Sequence, residues 1–106
     1  MASGLFGYFS FSINGNNLDG DYLNNLASGL CPETAVRTSS PSGSFNGFFN
    51  SNYNDGTVSK TAILTIHAPN PKGEFILEWI EIGTSVKYEG KGIVKVGELV
   101  GYYHKK

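Results

Sequence analysis

Apolar and polar residues alternate with a period of two along most of this chain, the pattern of strands with one buried face. In residues 5–13, LFGYFSFSI, one face collects Leu5, Gly7, Phe9, Phe11 and Ile13 and the other Phe6, Tyr8, Ser10 and Ser12, and the NGNN that follows reads as a turn. The second half repeats the pattern as a meander. SFNGFFNSNY and TVSKTAILTIH flank NDGT, where Asp55-Gly56 suits a two-residue type I′ hairpin. That turn predicts Phe49 opposite Ala62, Gly47 opposite Leu64 and Phe45 opposite Ile66, so turn chemistry and apolar pattern agree. Beyond APNPKG, Gly83-Thr84 suits a type II′ turn and pairs Phe75 with Gly92, Leu77 with Gly90 and Trp79 with Tyr88. Gly97-Glu98 repeats the device, pairing Val96 with Leu99, Val94 with Gly101 and Gly92 with Tyr103. The predicted inner face is Phe75, Leu77, Trp79, Tyr88, Val94, Val96, Leu99 and Tyr103.

Two stretches break the alternation. In LDGDYLNNLASGLCP, Asp21 is placed to cap a short helix with Leu23, Leu26 and Ala27 inward and Gly29 as its left-handed stop, while residues 15–23 alternatively supply a seventh strand beside six clearer ones. Residues 31–43, CPETAVRTSSPSG, hold two prolines, several Ser and Thr and no period, and read as a loop and the first place to look for a lid or contact segment. The expectation is a single all-β domain over residues 1–106: a small antiparallel up-and-down barrel or strongly curved sheet, with one short helix and a long loop at 30–43.

Composition narrows the partners. The 106 residues are 40% hydrophobic and 16% charged with 14 Gly, which suits a folded, turn-rich domain. Net charge is −1, and no stretch clusters the Lys and Arg that phosphate neutralisation requires, so nucleic acid is not an expected partner. Cys31 is the only cysteine, which excludes an intrachain disulfide and a CxxC site. No basic segment leads an apolar run and no apolar run reaches membrane length, so the expected location is cytoplasmic, with no membrane partner.

The candidate chemistry is thin. In the register above, Glu78 stands directly opposite Glu89 on the outer face, an unfavourable like-charge pair that calls for an explanation. A three-residue loop, Gly83 to Ser85, would instead pair Glu81 with Lys87, but it lacks the Gly usual at its last position. Pairing of Glu78 and Glu89 with Lys87, Lys91 or Lys95 is the structural reading; general acid–base work is the functional one, with Asp19 and Asp21 as further candidates. The runs NGNNLDGDYLNN and NSNYNDG match no EF-hand spacing, and His67 and His104 sit on separate strands without a cysteine partner, so no metal and no cofactor are expected. Cys31 reads as a small buried apolar residue rather than a nucleophile served by either histidine.

Gly7, Gly47, Gly90, Gly92 and Gly101 fall on the inner face. They either give curvature and room for packed rings, the favoured explanation, or leave a lumen for a flat apolar ligand. The hairpin-linked strands of residues 44–104, with aromatics and glycines alternating inward, resemble the architecture of the calycins, the lipocalin and avidin type of small barrel. The chain has no lipocalin Gly-x-Trp near its first strand and no set of residues that maps onto an avidin ligand site, so the resemblance implies architecture rather than a site. The expected function is non-catalytic binding of a small hydrophobic or aromatic molecule among Phe9, Phe45, Trp79, Tyr88 and Tyr103, with the 30–43 loop near the mouth. A glycan-binding variant would use Asn50, Asn52 and Tyr53. The alternatives are an assembly module, a homo-oligomer or phage-type accessory protein using the face around Ile76, Ile80, Ile93 and Tyr102, and a small barrel enzyme using the acidic residues.

Overall fold

A computed structural model describes residues 5–26, 29–39, 44–55 and 58–106. They form eight strands: β1 (Phe6–Asn14), β2 (Asn17–Asn24), β3 (Cys31–Arg37), β4 (Gly47–Asp55), β5 (Val58–Ile66), β6 (Phe75–Glu81), β7 (Lys87–Lys95) and β8 (Glu98–Lys105). Each pairs antiparallel with its neighbours in sequence, and β1 pairs with β8, closing an up-and-down barrel. Closure removes every sheet edge, and eight strands give an interior just wide enough for side chains to fill. Among the described residues no helix is long and apolar enough to cross a membrane.

The inner face carries the core. Phe11, Leu18, Phe49, Leu64, Leu77 and Leu99 are essentially inaccessible to solvent, and each such side chain contributes roughly 1.5–3 kcal/mol by leaving water. The favoured explanation of the inner glycines holds at two positions. A Cβ on Gly90 would lie 3.2 Å from Trp79 Cζ3, and one on Gly92 would lie 3.1 Å from Phe9 Cζ. Large rings occupy the space that these residues leave.

Several expectations are corrected. The short helix is absent among the described residues: Asp21 to Asn24 finish β2, where Leu18, Gly20 and Tyr22 turn inward and Leu23 is exposed. Leu26 is exposed too, and Ala27 lies outside the described residues. Weak helix formers such as Asn24 and Asn25 give way to pairing with β1, in which Gly7 stands opposite Asn24. The long loop is half strand. Residues 31–37 form β3, pairing Asp19 with Thr34 on one side and Thr34 with Asn52 on the other. Two further hairpins slip by one residue on each strand. Asp55 pairs with Val58, so Phe49 meets Leu64, and Lys95 pairs with Glu98, so Gly90 meets Tyr103. The turn between β7 and β8 is therefore Val96-Gly97, both in the left-handed region with φ of 50° and 78°, as a type I′ turn requires. Because each slip moves the pairing by an even number, no side chain changes face. Val94 and Val96 nevertheless lie beyond the core and are exposed. The β6–β7 hairpin has the expected register, Glu78 opposite Glu89 included.

The two ends of the barrel differ. One is bounded by the β1–β2, β3–β4, β5–β6 and β7–β8 connections. Here Arg37, half-buried, donates from Nε to Asn16 O (3.0 Å), from Nη1 to Asn46 O (3.0 Å) and from Nη2 to Ser44 O, and its guanidinium carbon lies 4.6 Å from the centre of the Phe49 ring. Phe45 and Phe75 meet edge to face beside it at 6.3 Å. The opposite end, where β2, β4 and β6 finish and β3, β5 and β7 start, holds a hollow.

Candidate functional site

Alternation along seven of the eight strands directs side chains inward at this level of the barrel, and most of them are aromatic. Phe9 comes from β1, Tyr22 and Asn24 from β2, Glu33 from β3, Tyr53 from β4, Trp79 from β6, Tyr88 from β7 and Tyr103 from β8, with Leu5 ahead of β1. They enclose a hollow of about 40 Å³. Its floor, Phe9, Trp79 and Glu33, is buried, whereas Leu5, Asn24, Tyr53 and Tyr88 on the rim are half-exposed. The rings brace one another: Trp79 lies 5.6 Å from Phe9 and 5.7 Å from Tyr103, and Tyr103 meets Tyr22 and Tyr88 edge to face at 6.3 and 6.1 Å. Such contacts add to area burial and fix the rings in place.

One carboxyl stands in this apolar setting. Glu33 is 5% exposed, and both its donors reach the same oxygen: Trp79 Nε1 donates to Oε2 at 2.8 Å, and Ser51 Oγ donates to Oε2 as well. Oε1 accepts from no described residue. Burial pushes the Glu33 carboxyl up to about 7, the hydrogen bonds from Ser51 and Trp79 opposing the shift. The phenols around it are committed elsewhere. Tyr22 donates to Asn54 O, Tyr53 donates to Glu81 Oε2 at 2.9 Å, and Tyr103 accepts from Asn24 Nδ2 at 3.0 Å. Burial and the neighbouring Glu81 carboxylate raise the Tyr53 phenol far above its ordinary value, and burial raises Tyr103 to about 12.

Compared with known protein families, curated proteins and solved structures, the chain matches none.

Of the residues expected at a ligand site, the fold gathers Phe9, Trp79, Tyr88 and Tyr103 around this hollow and sends Phe45 to the other end. The 30–43 segment, expected near the mouth, runs as β3 from the hollow end toward the other, where Thr38 and Ser39 follow it; residues 40–43 lie outside the described residues. Leu5, Tyr22, Asn24 and above all Glu33 are lining residues that sequence reasoning missed, and Tyr53, expected only for a glycan-binding variant, joins them. The signal for Glu33 was weak: the inner positions of β3 are Cys31, Glu33, Ala35 and Arg37, with no run of large apolar residues.

The acidic candidates are not brought together here. Asp19 and Asp21 are exposed on β2, where Asp19 Oδ2 accepts from Asn14 Nδ2 at 2.8 Å. Glu78 and Glu89 lie on the outer wall, and their nearest basic side chains are not the expected Lys87, Lys91 and Lys95. Glu78 Oε1 lies 3.3 Å from His67 Nε2, and Glu89 lies 3.3 Å from His104 Nε2 and 3.7 Å from Lys106 Nζ. Lys91 instead meets Glu74 at 3.9 Å. Among the described residues no three His, Cys, Asp or Glu side chains are placed to hold a metal ion. Cys31 is half-buried, with Sγ 3.5 Å from Gly29 O. Ile76, Ile80, Ile93 and Tyr102 are exposed on the outer wall, interrupted by Lys87 and Lys91 on β7.

Proposed function

We propose that this chain is a non-catalytic binding protein that holds one end of a small, largely apolar ligand in the aromatic hollow at the mouth of its barrel. The observation that carries the reading is the combination of six ring-bearing walls with one buried carboxyl, Glu33, whose Oε1 has no donor among the described residues. Binding sites are typically apolar concavities with a few fixed polar groups, and this hollow has that composition. A volume of about 40 Å³ accommodates roughly three waters, so it takes a head group while the remainder of the ligand rests on the rim.

Trp79 is the only tryptophan and lies in the wall, so its emission reports occupancy directly. Titration with small aromatic molecules should shift or quench that emission saturably, and Tyr103→Ala should weaken the effect at least tenfold. Emission that stays flat with every molecule, together with unmoved amide resonances around Phe9 and Tyr88, would remove the reading.

A second reading, acid–base catalysis on a substrate in the same hollow, is favoured by one feature: a carboxyl displaced to about 7 exchanges protons best near neutral pH. Turnover of a bound molecule that Glu33→Gln abolishes, with binding retained, would favour it over simple binding.

A further inference from the structure

Resting on the reading of the hollow as a binding site, we propose that the group it takes is the protonated primary amine of a small ligand, with its N–H donated to Glu33 Oε1 and its apolar body against the rim. Three features of the wall point this way. First, the described residues lining the hollow include one carboxyl and no Lys, Arg or His, so an anionic head would face Glu33 without a counter-charge from them. Second, Phe9, Tyr22, Tyr53, Trp79, Tyr88 and Tyr103 surround the space with rings, whose faces attract cations. The hydroxyls of Tyr22 and Tyr53 donate to Asn54 O and Glu81, so neither proton is spent on Glu33. Third, both protein donors to Glu33 converge on Oε2, which fixes the carboxyl plane and presents Oε1 as the acceptor still to be filled. A hollow of about 40 Å³ is of the size of a small head group such as a –CH2–NH3+ terminus.

The step is proton-balanced. A cation binds the ionised carboxylate, so a Glu33 that is protonated in the empty hollow releases its proton to solvent as the ammonium enters. Tyr53 and Tyr103 stay protonated throughout the neutral range because burial raises both, so Glu33 is the group that changes charge beside the ligand.

Benzylamine, benzyl alcohol and phenylacetate share one ring and differ in head group. Titrated into the unmodified protein at pH 8 with Trp79 emission as the readout, benzylamine should bind at least tenfold more tightly than benzyl alcohol, and phenylacetate should not bind. Its apparent affinity should fall about tenfold per pH unit below 7 and be roughly 100-fold weaker at pH 5, whereas benzyl alcohol should show no such slope. Glu33→Gln, which keeps the shape of the protonated carboxyl, should bring the amine-to-alcohol affinity ratio to about one and remove the pH slope of the amine. Equal affinity for amine and alcohol, or an amine affinity independent of pH, overturns the ammonium assignment while leaving the binding reading in place. Absence of response to all three probes overturns both.

Discussion

Glu33 and Arg37 stand on the inner face of the same strand, four residues apart, and each places a polar head at a different end of the barrel. Arg37 is saturated: three backbone carbonyls from the flanking connections accept its donors and Phe49 lies under its plane. It acts as a plug. Glu33 lines the hollow, held by two donors on one oxygen and with no described donor on the other, at a position that raises the cost of ionising it. A polar group that the fold has fully paired is there for structure, whereas one that the fold holds firmly but leaves half-paired is arranged for something from outside. The contrast extends to Glu81, equally buried near the same end. It accepts from Tyr53 at 2.9 Å and lies 3.8 Å from Lys60, so it belongs with Arg37 on the structural side.

The largest expected difference between the ends lies in packing. Phe49 is fully buried beneath Arg37, and Phe49→Ala should cost about 3–5 kcal/mol of stability in urea unfolding, the usual range for truncating a buried phenylalanine. Tyr88 borders an existing hollow and is half-exposed, so Tyr88→Ala should cost less than half as much. Equal losses would mean that the hollow is as tightly packed as the plug, and the distinction between the ends would fail.

The two charged residues should then respond with opposite signs. For Glu33, the folded value of about 7 exceeds the ordinary 4.5. The folded state therefore binds the extra proton between these values, and the stability it gives is complete below 4.5 and lost as pH rises through 7. Between pH 5 and pH 8 the loss is about 2–3 kcal/mol. Glu33→Gln removes that slope, so the variant should be more stable than the parent at pH 8 and nearly equal to it at pH 5. Reading the difference between the two proteins isolates Glu33, because every other ionisable group is common to both. Arg37→Met, by contrast, should lose about 1–3 kcal/mol at either pH, because it strips donors from part-buried carbonyls. A Glu33→Gln protein destabilised at pH 8 would show that the carboxylate is structural after all.

The sequence discloses the barrel unevenly, and for physical reasons that coincide with the site. β1 and β6 place large apolar residues at alternate positions, Phe9 and Phe11 on one and Phe75, Leu77 and Trp79 on the other, and the β6–β7 turn has Gly83 where a type II′ turn needs it, with φ of 84°, so register and inner face are legible there. The β7–β8 turn misleads because it places Val96, a β-branched residue, at positive φ. Packing overrides that local preference: the slipped register sets Gly90 against Tyr103 and leaves room for the Trp79 ring. β3 is invisible to an apolar pattern because its inner positions hold a cysteine, a carboxyl and a guanidinium around one alanine. The same substitutions that hide the strand create the hollow and the plug. Strand parity would have found it, since an up-and-down barrel closes first strand to last in antiparallel sense only with an even count, and seven strands leave one missing. Phe45 shares the inner, apolar character of the other rings but precedes β4, whose run from Gly47 to Tyr53 spans about 20 Å of extended chain and separates it from the hollow.

The smallest effect belongs to the outer wall. Glu78 and Glu89 oppose each other across β6 and β7, an arrangement that invites a catalytic reading, but each is well exposed and has a histidine at 3.3 Å. Exposed pairs of this kind contribute from about 0 to 1 kcal/mol, because water screens the attraction and the side chains lose freedom in forming them. The double variant Glu78→Gln with Glu89→Gln relieves the mutual repulsion and gives up both pairs, two small terms of opposite sign. Its urea midpoint should therefore lie within about 0.5 kcal/mol of the parent at pH 7, and its response to benzylamine should be unchanged, since neither residue lines the hollow. A loss of ligand response in this variant, with stability intact, would move the functional surface from the mouth to the wall and reverse the roles assigned to Glu33 and to the outer pair.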